Sequence, residues 1–206
     1  MSKSRVRHHV NPLRSQFLGR TLAPLDLPPT GEIEVELGCA DARFLFERAP
    51  HVPDTLLVGL EIRDKMVALV NRTAGELGLR NLRAHFAHVN VDLPQLFPDG
   101  RLTRAFINFP DPWFKRRHRK RRLVDPELVE TLYRKLRPSG ELFFQSDVYE
   151  LALDALAVLE DAPDRFQNVA GPWSFLLDNP FGARSLREAR CEARQLRIWR
   201  MLYVRV

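Results

Sequence analysis

The sequence predicts an α/β fold in which one open sheet carries helices on both faces. Three observations support this prediction. Short apolar strands alternate with helices along most of the chain, the 206 residues suffice for a domain with its own core, and 45% hydrophobic against 28% charged residues is an ordinary globular composition. Ligands of such sheets bind beyond the carboxyl ends of the strands, so the residues that follow each strand are candidate site residues.

Strands are predicted where apolar residues alternate with polar ones or form short runs. In the first strand, Ile33, Val35 and Leu37 alternate with acidic residues. The predicted strands cover residues 32–37, 55–62, 82–89, 102–109, 141–147 and 198–206.

Helices are predicted where apolar residues recur at helical spacing or where a capping pattern starts a segment. Asp125 is a good N-cap and Pro126 a good first residue, and Pro138 and Gly140 end that helix. The predicted helices cover residues 42–49, 64–78, 125–140 and 149–161.

The net charge of +6 is unevenly distributed along the chain. Residues 1–20 hold five cations and no acid, residues 115–122 hold seven cations, and residues 182–206 hold seven arginines against two acids. The rest of the chain is therefore acidic. Three basic segments on an acidic body predict a nucleic-acid partner, although any single segment could be a solvated charged face.

Several classes of protein are excluded on composition. No apolar stretch is long enough for a membrane span, and the basic N-terminus lacks the apolar run of a signal peptide. Cys39 and Cys191 are too few for a disulfide framework or a structural zinc site. We expect a cytoplasmic protein with no membrane partner and no metal, made of a basic arm at 1–30 and one domain at 31–206.

The ends of the first two predicted strands indicate a nucleoside site. Gly38 follows the first strand, and Glu61 ends the second strand 23 residues later, a spacing typical of a bound ribose. Glu36 would repel a phosphate and suits a cation. S-adenosylmethionine fits, because it carries a sulfonium and an amino group but no phosphate. A dinucleotide oxidoreductase is disfavoured by the missing G-x-G-x-x-G run, and a plain strand–turn–helix stays an alternative.

The fourth predicted strand leads into Phe109-Pro110-Asp111-Pro112-Trp113-Phe114. The two prolines stiffen the loop and hold Asp111 in place. A carboxylate beside aromatic rings can hold guanine, which offers two donors on its Watson–Crick edge. The basic run that follows would bind phosphates on either side of that base through Arg116, Arg117, Arg119, Lys120, Arg121 and Arg122.

The segment NFPDPWFKRRHRKRR (108–122) resembles the signature of the tRNA (guanine-N7)-methyltransferase family. The resemblance extends through ELG, GLE, NLR, PSGELFFQSD and SLRE, and covers about residues 30–206. It implies a Rossmann-like class I S-adenosylmethionine-dependent methyltransferase fold, with a mostly parallel sheet and an antiparallel C-terminal strand. It also implies methyl transfer to N7 of the variable-loop guanine of tRNA (position 46 in tRNA numbering), by a monomer or a homodimer.

The resemblance assigns roles to individual residues. Asp111 is implied as the catalytic acid, and the cofactor site is implied at Glu36, Gly38, Glu61, His88, Asn90 and Asp111. Substrate contacts are implied at Lys115, Asp147, Ser185 and Glu188. The chain departs from the family pattern in its single-glycine turn GCADAR, in His88 where an acid is common, and in Ser185 in place of Thr.

The chemistry requires alignment more than acid–base catalysis. N7 of guanine has a free lone pair, so the enzyme must align sulfur, methyl and N7 and place negative charge near the purine. Asp111 and Glu188 are the candidates for that charge. Two alternatives stay open: an RNA-binding protein that has lost catalysis, and a methyltransferase for another RNA base.

Overall fold

The central feature of the computed structural model, which describes residues 21–206, is a seven-stranded sheet with the order β3-β2-β1-β4-β5-β7-β6. The strands are β1 (Ile33–Leu37), β2 (Leu56–Glu61), β3 (Leu82–Phe86), β4 (Leu102–Asn108), β5 (Leu136–Ser146), β6 (Phe166–Asn168) and β7 (Trp199–Arg205). The first five strands are parallel to one another, whereas β7 is antiparallel to β5 and β6. This confirms the predicted mostly parallel sheet with an antiparallel C-terminal strand.

Six α-helices connect the strands in the described part of the chain. They are α1 (Arg43–Arg48), α2 (Asp64–Glu76), α3 (Val89–Leu96), α4 (Pro126–Lys135), α5 (Tyr149–Glu160) and α6 (Leu186–Ala193). The predicted cap of α4 is present, since the Asp125 carboxylate accepts a hydrogen bond from Leu128 N at 2.8 Å. The sequence missed α3, α6 and β6; Pro94 inside α3 and the three-residue length of β6 give weak patterns.

Two predicted boundaries are wrong. The helix at 125–140 ends at Lys135, because Leu136 already pairs with Leu102 and opens β5. The strand at 82–89 ends at Phe86, and His88 is the N-cap residue of α3.

The sheet is packed on both faces, as alternation along its strands requires. In β4, Ala105 and Ile107 face a core formed with α3, α4 and α5, whereas Phe106 faces a second core formed with α1 and α2. Both cores therefore pack against the same strands, and this packing fixes the positions of the strand ends.

Residues 21–30, part of the predicted arm, lie along the domain. Leu22, Leu25 and Leu27 pack against the core on the α3 side, and Leu25 N donates to Leu96 O at 3.0 Å. The other residues of the predicted arm, 1–20, lie outside the described residues. Within residues 21–206, none of the helices combines the length and the apolar character that a bilayer crossing needs.

Candidate active site

One cavity of about 820 Å³ opens at the carboxyl ends of β1, β2, β4 and β5, where the fold class places ligands. Its volume is in the range of small-molecule sites. The predicted site residues on its wall are Glu36, Gly38, Glu61, His88, Asn90, Asp111, Arg121, Asp147 and Ser185. Lys115 and Glu188 are not on the wall.

Glu36, in β1, is the buried acid of this cavity. Its Oε1 accepts a hydrogen bond from Asn108 Nδ2 at 2.8 Å, while its Oε2 has no hydrogen-bond partner among the described residues. Burial raises the pKa of Glu36 to about 8, the Asn108 hydrogen bond opposes this rise, and Asp41 and Glu61 add to it. A buried carboxylate with one open oxygen favours a cationic ligand, which would compensate its lost hydration.

Glu61 ends β2 and accepts four hydrogen bonds. Its Oε1 accepts from Arg63 N at 3.0 Å and Arg63 Nε at 2.8 Å, and its Oε2 accepts from Ala40 N at 3.0 Å and an Arg63 Nη at 2.9 Å. The predicted ribose acid therefore lies on the cavity wall, but an arginine occupies its outward-facing lone pairs.

The turn after β1 adopts a glycine-like conformation with few glycines. Gly38 has φ 82°, and Ala40 and Ala42 have φ 51° and 54°, in the left-handed region that costs an alanine about 1 kcal/mol. Gly38 N and Cys39 N both donate to Leu60 O, which ties the turn to β2. The turn thus keeps the backbone conformation that glycines would adopt, and the alanines add backbone strain.

His88 and Asn90 lie beside each other where α3 begins. The backbone N–H of His88 donates to Asp92 Oδ2 at 2.7 Å, and Asn90 Nδ2 donates to Leu123 O at 3.0 Å and Asp125 Oδ2 at 3.2 Å. Both reach the cavity wall, so the structure brings both predicted adenine neighbours to one place.

The Pro-Asp-Pro loop after β4 is held rigidly. Phe109 and Trp113, which flank it, have φ 50° and 44°, and Phe109 N donates to Gln145 O at 2.8 Å. Positive φ in two bulky residues is strain that the surroundings must support, and such strain is common at functional sites. The loop places Asp111 on the cavity wall, across from the β1 turn.

The C-terminal part of the site is built by α6. Ser185 Oγ caps this helix by accepting from Glu188 N at 3.1 Å, and Arg187 forms an ion pair with Asp147. Glu188 is fully buried and bonded to Gln145, Asn179 and Arg200. The carboxylate of Glu188 is thus hydrogen-bonded behind the cavity wall, and its role of placing charge against the purine stays a prediction.

The basic run forms a 3-10 turn at Arg116–Arg121 on the rim of the site. Arg121 lies over the Trp113 ring at 5.0 Å from its centroid. Arg122 is buried, pairs with Asp154 and donates to Pro112 O at 3.0 Å, and its role as a phosphate contact stays a prediction. The exposed cations of the run are Lys115, Arg116, Arg117, Arg119 and Lys120.

The sequence analysis gave no role to Arg63, Asn108 and Arg187, which line the cavity, or to Gln145, which lies behind it. Asn108 and Gln145 did carry a signal, since each is a polar residue that directly follows a run of three apolar residues, and buried polar groups are kept where they find partners. Among the described residues, no group of three or more His, Cys, Asp or Glu could hold a metal ion.

Fold and cavity together define the class: an α/β protein with the fold of a methyltransferase and a ligand-sized cavity at the carboxyl ends of its strands. Solved structures show the same fold. A SAM-dependent methyltransferase from Aquifex aeolicus has 15% identity and a TM-score of 0.55, covering 85% of this chain and 82% of that chain. The aminoglycoside resistance methyltransferase NpmB1 has 18% identity and a TM-score of 0.57, covering 85% and 87%.

Sequence comparison identifies the family. The family model described as putative methyltransferase matches residues 30–201. A Synechococcus elongatus protein named tRNA (guanine-N(7)-)-methyltransferase is 40% identical over 216 residues, covering 100% of this chain and 98% of that protein. A Synechocystis protein of the same name is 36% identical over 212 residues, covering 100% and 99%. The chain belongs to the tRNA (guanine-N7-)-methyltransferase family.

Proposed function

We propose that the protein methylates N7 of the variable-loop guanine of tRNA, position 46 in tRNA numbering. The observation that carries the proposal is the shared cavity: the open oxygen of Glu36 and the rigid Asp111 face one space, and exposed cations stand at its rim. A cation-binding acid, a base-binding acid and a phosphate-binding edge are the three parts that this reaction needs.

The cofactor half of the cavity suits S-adenosylmethionine. This cofactor supplies an electrophilic methyl group on a sulfonium centre. Glu36 binds its cationic portion, because Oε2 is buried without a partner among the described residues. Glu61 binds the ribose hydroxyls after releasing Arg63, and His88 and Asn90 lie on the wall where the adenine would follow.

Asp111 acts on the guanine as an acceptor rather than as a base. Methylation at N7 puts positive charge on the purine and makes its N1–H a stronger donor. A carboxylate that accepts from the Watson–Crick edge therefore binds the transition state more tightly than the ground state. Because the Asp111 loop is already strained into place, little reorganisation is needed during the reaction.

The exposed cations of the basic run bind the tRNA backbone around the target base. Five of them lie within six residues of chain, next to the cavity mouth. Their attraction to phosphate is independent of base sequence and positions the variable loop over the cavity.

The alternative of an RNA-binding protein without catalysis rested on the poor glycine turn. Ala40 and Ala42 adopt the left-handed conformation that glycines would provide, so the turn keeps its course. The observation that favoured this alternative is therefore accounted for by local strain.

The test is methyl transfer from labelled S-adenosylmethionine to a tRNA transcript, followed by strand cleavage selective for 7-methylguanosine. We expect cleavage at the variable-loop guanine, and none in a matched transcript with adenine there. Label on another guanine would contradict the proposed position in tRNA but not the proposed reaction. Label without cleavage would indicate another RNA base, and no label despite cofactor binding would favour the RNA-binding alternative.

A further inference from the structure

A chain of buried hydrogen bonds crosses four neighbouring strands behind the cavity. Arg200 Nε on β7 donates to Gln145 Oε1 on β5 at 3.2 Å, Gln145 Nε2 donates to Asn108 Oδ1 on β4 at 2.9 Å, and Asn108 Nδ2 donates to Glu36 Oε1 on β1 at 2.8 Å. The strands follow one another in the sheet order β1-β4-β5-β7. Asn108 pairs with Gln145, and Gln145 with Arg200, in direct register.

The direction of this chain is set at its far end. A guanidinium has only donors, so Gln145 must turn its carbonyl oxygen toward Arg200 and its amino group toward Asn108. Asn108 must then accept on its oxygen and present its own amino group to Glu36. Gln145 Nε2 also donates to Glu188 Oε2 at 2.8 Å, which holds the same orientation.

We propose that Asn108 and Gln145 are positioning residues: with Arg200 they form a polarised relay that favours the anionic form of Glu36, with Oε1 occupied and Oε2 open toward the cofactor cation. The inference rests on the cofactor role of Glu36 in the proposed function. It assigns a task to three residues that have no role in the proposed function.

The surroundings of Glu36 make this donor necessary. The carboxyl groups that face it are Asp41 in the β1 turn and Glu61 at the end of β2, and both favour its protonated form, as burial does. The Asn108 hydrogen bond is the influence on Glu36 that favours the charged form. Gln145 is fully buried and Arg200 is 7% exposed, so water cannot easily replace the relay if a member is removed.

The test measures protons rather than turnover. Titration calorimetry with S-adenosylhomocysteine, in two buffers of different ionisation enthalpy at pH 8.5, gives the number of protons released on binding. With a pKa of about 8, Glu36 is partly protonated at this pH, and binding of a cationic amino group releases this proton. Gln145→Met should raise the number of protons released about twofold, and shift the pH midpoint of binding upward.

Two further variants make the result specific. Asn108→Ala removes the side chain that donates to Glu36, at the half-buried end of the relay. It should show the same increase in proton release, and it provides the test if Gln145→Met does not fold. Asn179→Ala is the matched control, because Asn179 Nδ2 bonds Glu188 but lies outside the chain that reaches Glu36; it should lower stability without changing proton release.

The outcomes separate the relay from the proposed function. Unchanged proton release in both Gln145→Met and Asn108→Ala, with binding retained, would overturn the relay. A shift in Asn179→Ala equal to that in Gln145→Met would show a general packing effect and would also overturn it. Absence of any binding of S-adenosylhomocysteine to the wild-type protein would instead contradict the proposed cofactor site.

Discussion

The guanidinium of Arg63 lies against the carboxylate of Glu61, with Nε 2.8 Å from Oε1 and an Nη 2.9 Å from Oε2. With the N–H groups of Ala40 and Arg63, these contacts fill the roughly four acceptor positions of a carboxylate. Ribose hydroxyls can therefore reach Glu61 only by displacing the Arg63 side chain. Cofactor binding and this ion pair compete for the same oxygens.

Replacing Arg63 should relieve this competition. We expect Arg63→Met to bind S-adenosylhomocysteine about tenfold or more tightly, since a charged hydrogen bond of about 1.5–3 kcal/mol need no longer be exchanged. Glu61→Gln should weaken binding by tenfold or more, because an amide offers one acceptor oxygen for two hydroxyls. Equilibrium titration of both variants checks this. Weaker binding by Arg63→Met would mean that Arg63 itself holds the cofactor.

Asp111 is predicted to act in the chemical step. Asp111→Asn keeps the loop and its volume but replaces an anionic acceptor by a neutral amide, so single-turnover methyl transfer should fall by about 10²- to 10³-fold. The affinity for tRNA should change little, because the exposed cations supply most of it. Single-turnover rates at saturating tRNA, with filter binding alongside, make the measurement. A rate near that of the wild type would remove Asp111 from the mechanism.

The exposed cations of the basic run are predicted to bind phosphates. Replacing Arg116, Arg117, Arg119 and Lys120 by Gln should weaken tRNA binding. The slope of log K against log salt concentration should also decrease in magnitude, by about one for each phosphate that the variant no longer neutralises. Binding isotherms at several salt concentrations give the slope.

Two single variants serve as controls for that slope. Arg72→Gln removes an exposed cation on α2, paired with Glu76 at 3.9 Å, and should leave the slope unchanged. Arg122→Gln should instead lower thermal stability, because the variant loses the ion pair with Asp154 and the hydrogen bond to Pro112 O. Equal slopes for the wild type and the fourfold variant would mean that the run is a solvated surface.

The β1 turn is predicted to store strain that glycine can release. Ala40→Gly should stabilise the protein by about 1 kcal/mol, because Ala40 has φ 51° and its N–H bond to Glu61 is retained. Ala68→Gly, at an exposed position within α2, should destabilise it by about 1 kcal/mol. Denaturant unfolding measures both. A loss of stability in Ala40→Gly would show that the turn carries no strain at this residue.

Much of the fold was predictable because it depends on local pattern. Alternation in β1, the apolar run of β2 and the cap at Asp125 are properties of neighbouring residues, and the structure confirms each element. The boundary at Lys135 was not predictable in this way. There the pairing of Leu136 with Leu102 outweighs the stop signals of Pro138 and Gly140.

The sequence by itself determined the class of the sheet, the strand ends that carry Glu36, Glu61 and Asp111, and the family through the segment 108–122. These follow from residue order, because parallel strands bring their carboxyl ends to one edge. The tertiary structure alone decided which charged groups remain available. Glu188 pairs with Arg200, and Arg122 pairs with Asp154. Asn108 in β4 donates a hydrogen bond to Glu36 in β1. Such pairings join residues far apart in the chain, and burial gives them their strength, so local pattern cannot reveal them.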